Sequence, residues 1–277
     1  MSPARAVAAA KINLALVVGP RRDDRLHEVA TVLQRIDLCD RLELAPADEL
    51  TVAGFPDDTI VAEALQVLAR EAGVQPGWRV RIAKEIPVAA GLGGGSADAA
   101  AALRLANAAL PELLPEWRLH ELAAGLGADV PFFLDPGPKL AEGAGERLER
   151  LDLPQDFWVL VAVPTRVEKG STGEIYERFD ELGGEAGFEE RRSALRGALT
   201  GIRRPRDLAR LPPNDLAEAA GGGAELGAAL RAAGAFRADV SGAGPAVYGL
   251  FHHRAEARRA ARRLGRGHRA WVVAPVW

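Results

Sequence analysis

Four of the five residues from Gly91 to Gly95 are glycine, and Ser96-Ala97-Asp98-Ala99-Ala100 follows at once. Ile86-Pro87-Val88-Ala89-Ala90 leads in as a strand, and an Ala/Leu-rich helix is expected over about residues 96–110, closed by Pro111 and Pro115. Three consecutive glycines carry a large conformational-entropy penalty, so they need a reason. One reading is a flexible strand-to-helix connection. The other is a phosphate cradle: glycines reach positive φ and let the backbone approach an oxyanion closely. The unpaired N–H groups and the dipole of the following helix then favour negative charge. Ser96 is expected to cap that helix and to reach a phosphate or a magnesium ion. The pattern is not Walker A, because no lysine follows Gly95.

A chain of 277 residues has room for about two domains. Residues 6–18 are rich in Ala, Val, Ile and Leu and read as one or two strands, broken by the charged turn 20–24. Short strands are expected at 42–44 and 50–52, and an amphipathic helix over 59–72. Trp78 to Ala83 alternates as a half-buried strand. A short helix over 119–126 stops at Gly127. Composition shifts after Leu151. A strand at 157–163 follows, then helix over 174–198 interrupted at Gly183-Gly184, then a proline-punctuated loop with a short helix over 203–213. The tail reads helix 224–233, strand 236–241, tight turn, strand 246–251, helix 256–264 and strand 270–274. The expected fold class is α+β, with an antiparallel sheet in the second part and a boundary near residue 150: 1–150, then 151–277.

Composition excludes several function classes. The 35 basic and 38 acidic residues give a net charge of −3, too balanced for a dedicated nucleic-acid or membrane-surface binder. The basic tail 254–269 lacks interleaved aromatics and reads as one solvated helix face. One cysteine, Cys39, forms no internal disulfide, and His120, His252, His253 and His268 show no metal-ligand spacing. No apolar run approaches about 18 residues, so no membrane span is expected, and cytoplasm is the expected compartment. Aromatic content is only 5%, with two tyrosines, Tyr176 and Tyr248.

Four further places carry candidate chemistry. Lys11 and Asn13 lie two apart in a strand and so share a face. They are either a solvent-facing pair or a lysine held in a cleft to neutralise phosphate. Asp129, ahead of Val130-Pro131-Phe132-Phe133, is either a cap or turn residue or a partly shielded general base. His27 closes the charged run Asp24-Arg25-Leu26 and is either solvated or functional. Ser241-Gly242-Ala243-Gly244-Pro245 is either a hairpin turn or a second backbone wall for a ligand.

Together these pieces resemble the GHMP small-molecule kinases over nearly the whole chain. Ala10-Lys11-Ile12-Asn13-Leu14, the blocks 24–27 and 34–42, and the phosphate loop within 84–100 match in the expected order. Gly127-Ala128-Asp129-Val130-Pro131-Phe132-Phe133, the stretch 137–146, Asn214-Asp215-Leu216 and the motif 241–251 complete the match. Lys-Ile-Asn with Gly-Ala-Asp-Val-Pro-Phe-Phe points to the branch that phosphorylates the 2-hydroxyl of 4-diphosphocytidyl-2-C-methyl-D-erythritol in non-mevalonate isoprenoid synthesis.

The resemblance implies an N-terminal ribosomal-protein-S5-like domain holding ATP and a C-terminal ferredoxin-like domain completing the acceptor site. It implies that Asp129 takes the hydroxyl proton and Lys11 neutralises charge. Asn13, Leu26, His27, Thr172 and Tyr176 would bind the acceptor, with His27 on the cytosine edge and Tyr176 against its face. Thr59, Lys84, Pro87, Gly91, Gly93, Gly94, Gly95, Ser96 and Asp98 would bind ATP. Mg²⁺ would travel with ATP, with Ser96 a possible ligand. Partners would be small molecules, with no nucleic acid or membrane, and the protein a monomer or homodimer. Two departures bear on specificity: Asp-Gly-Tyr-His of the family reads Asp24-Arg25-Leu26-His27, and Asn-Leu reads Thr59-Ile60. They leave open a homoserine- or mevalonate-like acceptor, or a silent nucleotide-binding homologue.

Overall fold

The structure, a computed structural model, describes residues 3–55, 59–165, 171–221 and 223–277. The chain divides into two compact units that are not consecutive halves. One holds residues 1–10, 38–88 and 93–136, and the other 11–37, 89–92 and 137–277. Two long strands, Ala4–Arg21 and His27–Pro46, contribute to both units, so the runs expected at 6–18 and 42–44 are parts of longer strands.

In the first unit, residues 41–46 pair antiparallel with Trp78–Ala83, which pairs in parallel with Thr51–Ala53. Trp78–Ala83 alternates buried and exposed residues along its length, as its period-two pattern dictates. Helix Thr59–Glu71 turns Val61, Ala64, Leu65 and Leu68 fully inward, against helix Gly94–Asn107. That second helix buries an almost unbroken alanine run, Ala97 and Ala99 to Ala102, which permits close helix–helix approach. Helix Glu116–Leu126 ends at Gly127, as expected, and Arg118 ties it to Glu71 at 2.6 and 2.8 Å.

The second unit contains strand Trp158–Pro164, helix Gly223–Ala232, strands Arg237–Val240 and Val247–Phe251, helix Arg254–Arg263 and strand His268–Val273. The sheet order is His268–Val273, Trp158–Pro164, Val247–Phe251, Arg237–Val240, every neighbour antiparallel. A βαββαβ chain with this order is ferredoxin-like. Leu160, Leu226, Leu230, Val240, Val247 and Phe251 form its core with Ala257 and Ala260. Residues 29–33 pair with Lys139–Gly143, which pairs with Arg147–Arg150. Helices Thr172–Glu181 and Phe188–Thr200 are separate, broken where Gly183 takes φ +67°. A Cβ on the adjoining Gly184 would lie 2.2 Å from the Phe179 ring.

The phosphate-loop helix departs from expectation. It begins at Gly94, two residues early, with Gly93 as its N-cap at φ +70° and no side-chain cap. Ser96 is therefore inside the first turn and does not cap the helix. Glycine in a left-handed conformation does the capping geometry that serine would have done through its hydroxyl.

Candidate active site

In the first unit, the glycine loop presents the N–H groups of Gly94, Gly95 and Ser96 at the start of a 14-residue helix. The first intrahelical bond runs from Ala97 N–H to Gly93 O at 2.9 Å, so the three preceding donors have no carbonyl within the helix. The glycines answer to close approach: a Cβ on Gly94 would sit 3.0 Å from Ile86 Cγ2 and 3.3 Å from Lys84 Nζ. An open row of donors, backed by a helix dipole and half-buried, fits an oligophosphate. Pro87 is half-buried at the loop entrance, and Thr59 opens its helix, its side chain outside the described residues.

Lys84 sits beneath this loop in a charge cluster. Its ammonium donates to Asp40 at 2.6 Å and to Asp98 at 2.7 Å, and both carboxylates are fully buried. The other oxygen of Asp40 accepts the backbone N–H groups of Glu85 at 2.6 Å and Ile86 at 2.8 Å. Burial alone would lower the Lys84 pKa, but its hydrogen bonds to Asp40 and Asp98 and their charges raise it overall. Lys84 and Asp98, both expected at ATP, thus bond to each other, tying the loop's lead-in to its helix. Asp40 was part of a matched block without an assigned role; its burial beside a lysine could be found only in three dimensions. Asp129 lies half-buried in the turn between Glu116–Leu126 and the short 3₁₀ helix Pro131–Leu134, whose phenylalanines are buried.

In the second unit, Lys11 and Asn13 are buried, each 4% exposed, so the solvent-facing alternative is excluded. Residues 10–18 are buried without alternation, which is why period-two reasoning missed it. Lys11 Nζ donates to Asn13 Oδ1 at 2.8 Å. Asn13 Nδ2 donates to Thr31 Oγ1 at 2.8 Å, and Thr31 donates onward to Ala15 O at 2.7 Å. The Thr31 hydroxyl has spent its hydrogen, so it can only accept from Asn13, which turns the amide oxygen toward Lys11.

The Ser241–Pro245 turn packs its backbone against residues 90–92. Ser241 Oγ donates to Gly91 O at 2.9 Å and accepts from Asn13 N–H at 3.4 Å. Ala246 N–H donates to Ala90 O at 3.1 Å, and Lys11 N–H to Leu92 O at 2.9 Å. Gly91, at φ +80°, leaves no space for a side chain: its Cβ would stand 2.1 Å from Ser241 O. Asn214 Nδ2 holds the turn from behind, donating to Val240 O at 3.0 Å and Gly242 O at 2.7 Å.

His27 is 8% exposed, so it is not a solvated loop histidine. Its ring lies 4.7 Å from the Tyr176 ring at 32°, with Phe179 edge-on at 6.4 Å. Its Nε2 meets Asp180 Oδ1 at 2.8 Å. Tyr176 and Asp180 are four apart on helix Thr172–Glu181 and so share a face. Ser171 and Glu174 form a reciprocal capping box at its start, and Thr172 is exposed in the first turn. Leu26 is 51% exposed on a turn where Leu26 N–H donates to Asp24 Oδ1 and Arg25 takes φ +68°. Asp180 carried no sequence signal, since a carboxylate on a solvated helix looks like any other.

Among the described residues no group of three or more His, Cys, Asp or Glu is placed to hold a metal. No helix among them is long and apolar enough to cross a membrane.

Comparison with known proteins agrees in both units. The GHMP kinases N terminal domain matches residues 59–137, and GHMP kinases C terminal matches 224–269. A 4-diphosphocytidyl-2-C-methyl-D-erythritol kinase of Geobacter sulfurreducens is 37% identical, covering 97% of this chain and 96% of the relative. Its counterpart in Pelotomaculum thermopropionicum is 40% identical, covering 94% and 93%. A crystal structure of 4-(cytidine 5'-diphospho)-2C-methyl-D-erythritol kinase superposes with a TM-score of 0.80 at 34% identity, covering 99% of this chain and all of that one. The Methanococcus jannaschii mevalonate kinase gives 0.77 at 13% identity, a likeness of fold alone.

Proposed function

The chain belongs to the 4-diphosphocytidyl-2-C-methyl-D-erythritol kinases, a branch of the GHMP kinases, and from that premise we propose how its own residues carry the reaction. It is an α+β phosphotransferase with an alcohol group as acceptor. The acceptor we assign is the 2-hydroxyl of 4-diphosphocytidyl-2-C-methyl-D-erythritol, and the donor is ATP. We assign ATP binding to residues 1–150 and completion of the acceptor site to 151–277.

The N–H groups of Gly94, Gly95 and Ser96 bind the ATP phosphates; this helix start is the observation that carries the kinase reading. Mg²⁺ supplies charge neutralisation on those phosphates, and the Ser96 hydroxyl is its proposed protein ligand. Asp129 accepts the proton of the acceptor hydroxyl as its oxygen attacks the γ-phosphorus, while the bond to the β–γ bridging oxygen breaks and ADP leaves. Lys11, aimed by the Asn13 amide, stabilises negative charge on the transferring phosphoryl group. Such transfer relies on positioning and charge more than on covalent chemistry, and both groups fit that demand. His27, Leu26, Tyr176 and Thr172 receive the cytidine end. Thr59, Pro87 and Gly91 line the nucleotide, with Lys84 and Asp98 shaping the loop from below. The protein works in the cytoplasm, as a monomer or homodimer.

The test is an ATP-dependent phosphorylation assay with 4-diphosphocytidyl-2-C-methyl-D-erythritol, homoserine and mevalonate in parallel. Turnover with the first alone is expected, and turnover with either of the others alone overturns the acceptor assignment. Asp129→Asn is expected to lower kcat by about 10²–10⁴, the range for a general base. An unchanged kcat removes Asp129 from that role.

A further inference from the structure

We propose that Asp180 sets the hydrogen-bonding sense of His27, and through it makes the protein select cytosine over uracil. The inference rests on the reading above that His27 meets the base edge.

A carboxylate only accepts hydrogen bonds, so the 2.8 Å contact between Asp180 Oδ1 and His27 Nε2 requires the hydrogen on Nε2. In the neutral ring Nδ1 then carries a lone pair, and which nitrogen is protonated follows from the bond the other one makes. Among the described residues Nδ1 makes no hydrogen bond, although the ring is 8% exposed. The ring cannot easily turn over to exchange its nitrogens. Tyr176 covers one face at 4.7 Å, and Phe179 stands edge-on at 6.4 Å. One helix thus supplies Tyr176, Phe179 and Asp180, and its capping box fixes where that helix begins.

An acceptor at Nδ1 suits the exocyclic amino group of cytosine, which donates. Uracil carries a carbonyl oxygen at the same position, and two lone pairs would face each other. To accommodate uracil, a neutral His27 must move its hydrogen to Nδ1 and turn a bare Nε2 toward a carboxylate, so in that state discrimination acts by repelling the wrong base. Asp180 touches no substrate in this scheme; it is a positioning residue.

Two measurements test it. The first compares kcat/KM for the cytidine substrate and its uridine analogue in the wild type, Asp180→Asn and His27→Ala. An asparagine can turn its NH₂ toward Nε2, allowing the hydrogen onto Nδ1. Asp180→Asn is therefore expected to reduce the cytidine/uridine ratio about tenfold through KM, the size of one lost hydrogen bond to a buried group, with kcat and the KM for ATP within about twofold. If His27→Ala leaves the ratio unchanged, the reading that His27 meets the base fails, and this proposal with it. If His27→Ala collapses the ratio while Asp180→Asn leaves it intact, only the Asp180 proposal fails. The second measurement is long-range ¹H–¹⁵N NMR of the ¹⁵N-histidine-labelled protein, at a pH where neutral imidazole prevails, with His27 assigned by difference from His27→Ala. Hydrogen on Nε2 is expected in the wild type and a tautomer mixture in Asp180→Asn. Hydrogen on Nδ1 in the wild type overturns the proposal whatever the kinetics show.

Discussion

Lys84 and Lys11 are both aimed by side-chain oxygens, Lys84 by carboxylates and Lys11 by an amide. Lys84 donates to two fully buried carboxylates, and one of these also holds the backbone of Glu85 and Ile86. Lys11 donates to the neutral amide of Asn13, which is oriented in turn by Thr31. The difference teaches what each charge is available for. Carboxylates match the charge of Lys84 and commit it to the architecture of the loop. The Asn13 amide fixes where the Lys11 ammonium points, and in the proposed reaction that ammonium acts on the transferring phosphoryl group.

The sharpest way to break this comparison is Lys84→Met. It leaves Asp40 and Asp98 buried without their shared cation, and stability should fall by about 3–5 kcal/mol. Urea unfolding checks it; an unchanged midpoint would mean the cluster is not structural. The pH dependence has a definite sign. The pKa of Lys84 is raised above its ordinary 10.5 on folding, so its contribution is full below that value. It is lost as pH rises through the higher folded value. The wild type should therefore lose stability relative to Lys84→Met only above about pH 10.5, not between 6 and 9.

Lys11→Met should act on the chemistry. We expect kcat to fall about 10²–10³-fold, the size seen when a donor to developing charge is removed. A loss confined to KM would place Lys11 in ground-state binding instead. Thr31→Val is the subtler version: the Asn13 amide loses the acceptor that orients it and can turn its NH₂ toward Lys11. About a tenfold loss in kcat is expected, close to the worth of one buried hydrogen bond, with Thr31→Ser restoring most of it. A failure of serine to rescue would assign the effect to packing.

How much of this was legible in the sequence follows the same division. Glycines that a loop cannot do without announce themselves, and so did the helix after Gly93 and the βαββαβ tail; the strand expected at 86–90 is instead bend and turn, the preceding strand ending at Ala83. Helix starts slipped by two residues where Gly93 caps by conformation and not by a side chain. Lys11 and Asn13 were recognisable by motif, but their burial was not, because residues 10–18 are covered on both faces and alternation disappears. Asp40, Thr31 and Asp180 were invisible as functional residues. Their roles come from partners 44, 18 and 153 positions away in the chain, and no local pattern encodes a contact over that separation.

Smaller effects gather at the turn before His27. Arg25 holds φ +68° at the position where the family pattern has glycine. A left-handed conformation strains any residue with a Cβ by about 1–2 kcal/mol, partly offset by the greater freedom glycine has when unfolded. Arg25→Gly should therefore raise stability by about 0.5–1 kcal/mol. Arg22 gives the turn a second support, pairing with Asp24 at 3.0 Å and Glu28 at 3.5 Å, so Arg25 is not needed for its charge. A loss of stability in a thermal melt would show that the arginine side chain does more than occupy the turn.

Leu26→Tyr tests binding and leaves stability aside. Leu26 is 51% exposed, so a larger ring meets no packed core. The substitution restores the tyrosine of the family pattern opposite Tyr176. If Leu26 covers the base by dispersion alone, tyrosine adds only the aromatic part of stacking, about 0.5–1.5 kcal/mol. The KM for the cytidine substrate should fall by about two- to tenfold, with kcat and the KM for ATP unchanged. The cytidine/uridine ratio should also hold, because a stacking ring covers either pyrimidine and reads neither edge. A change in that ratio would mean that the face of the base and its edge are not recognised separately, and that Leu26 and His27 act as one unit.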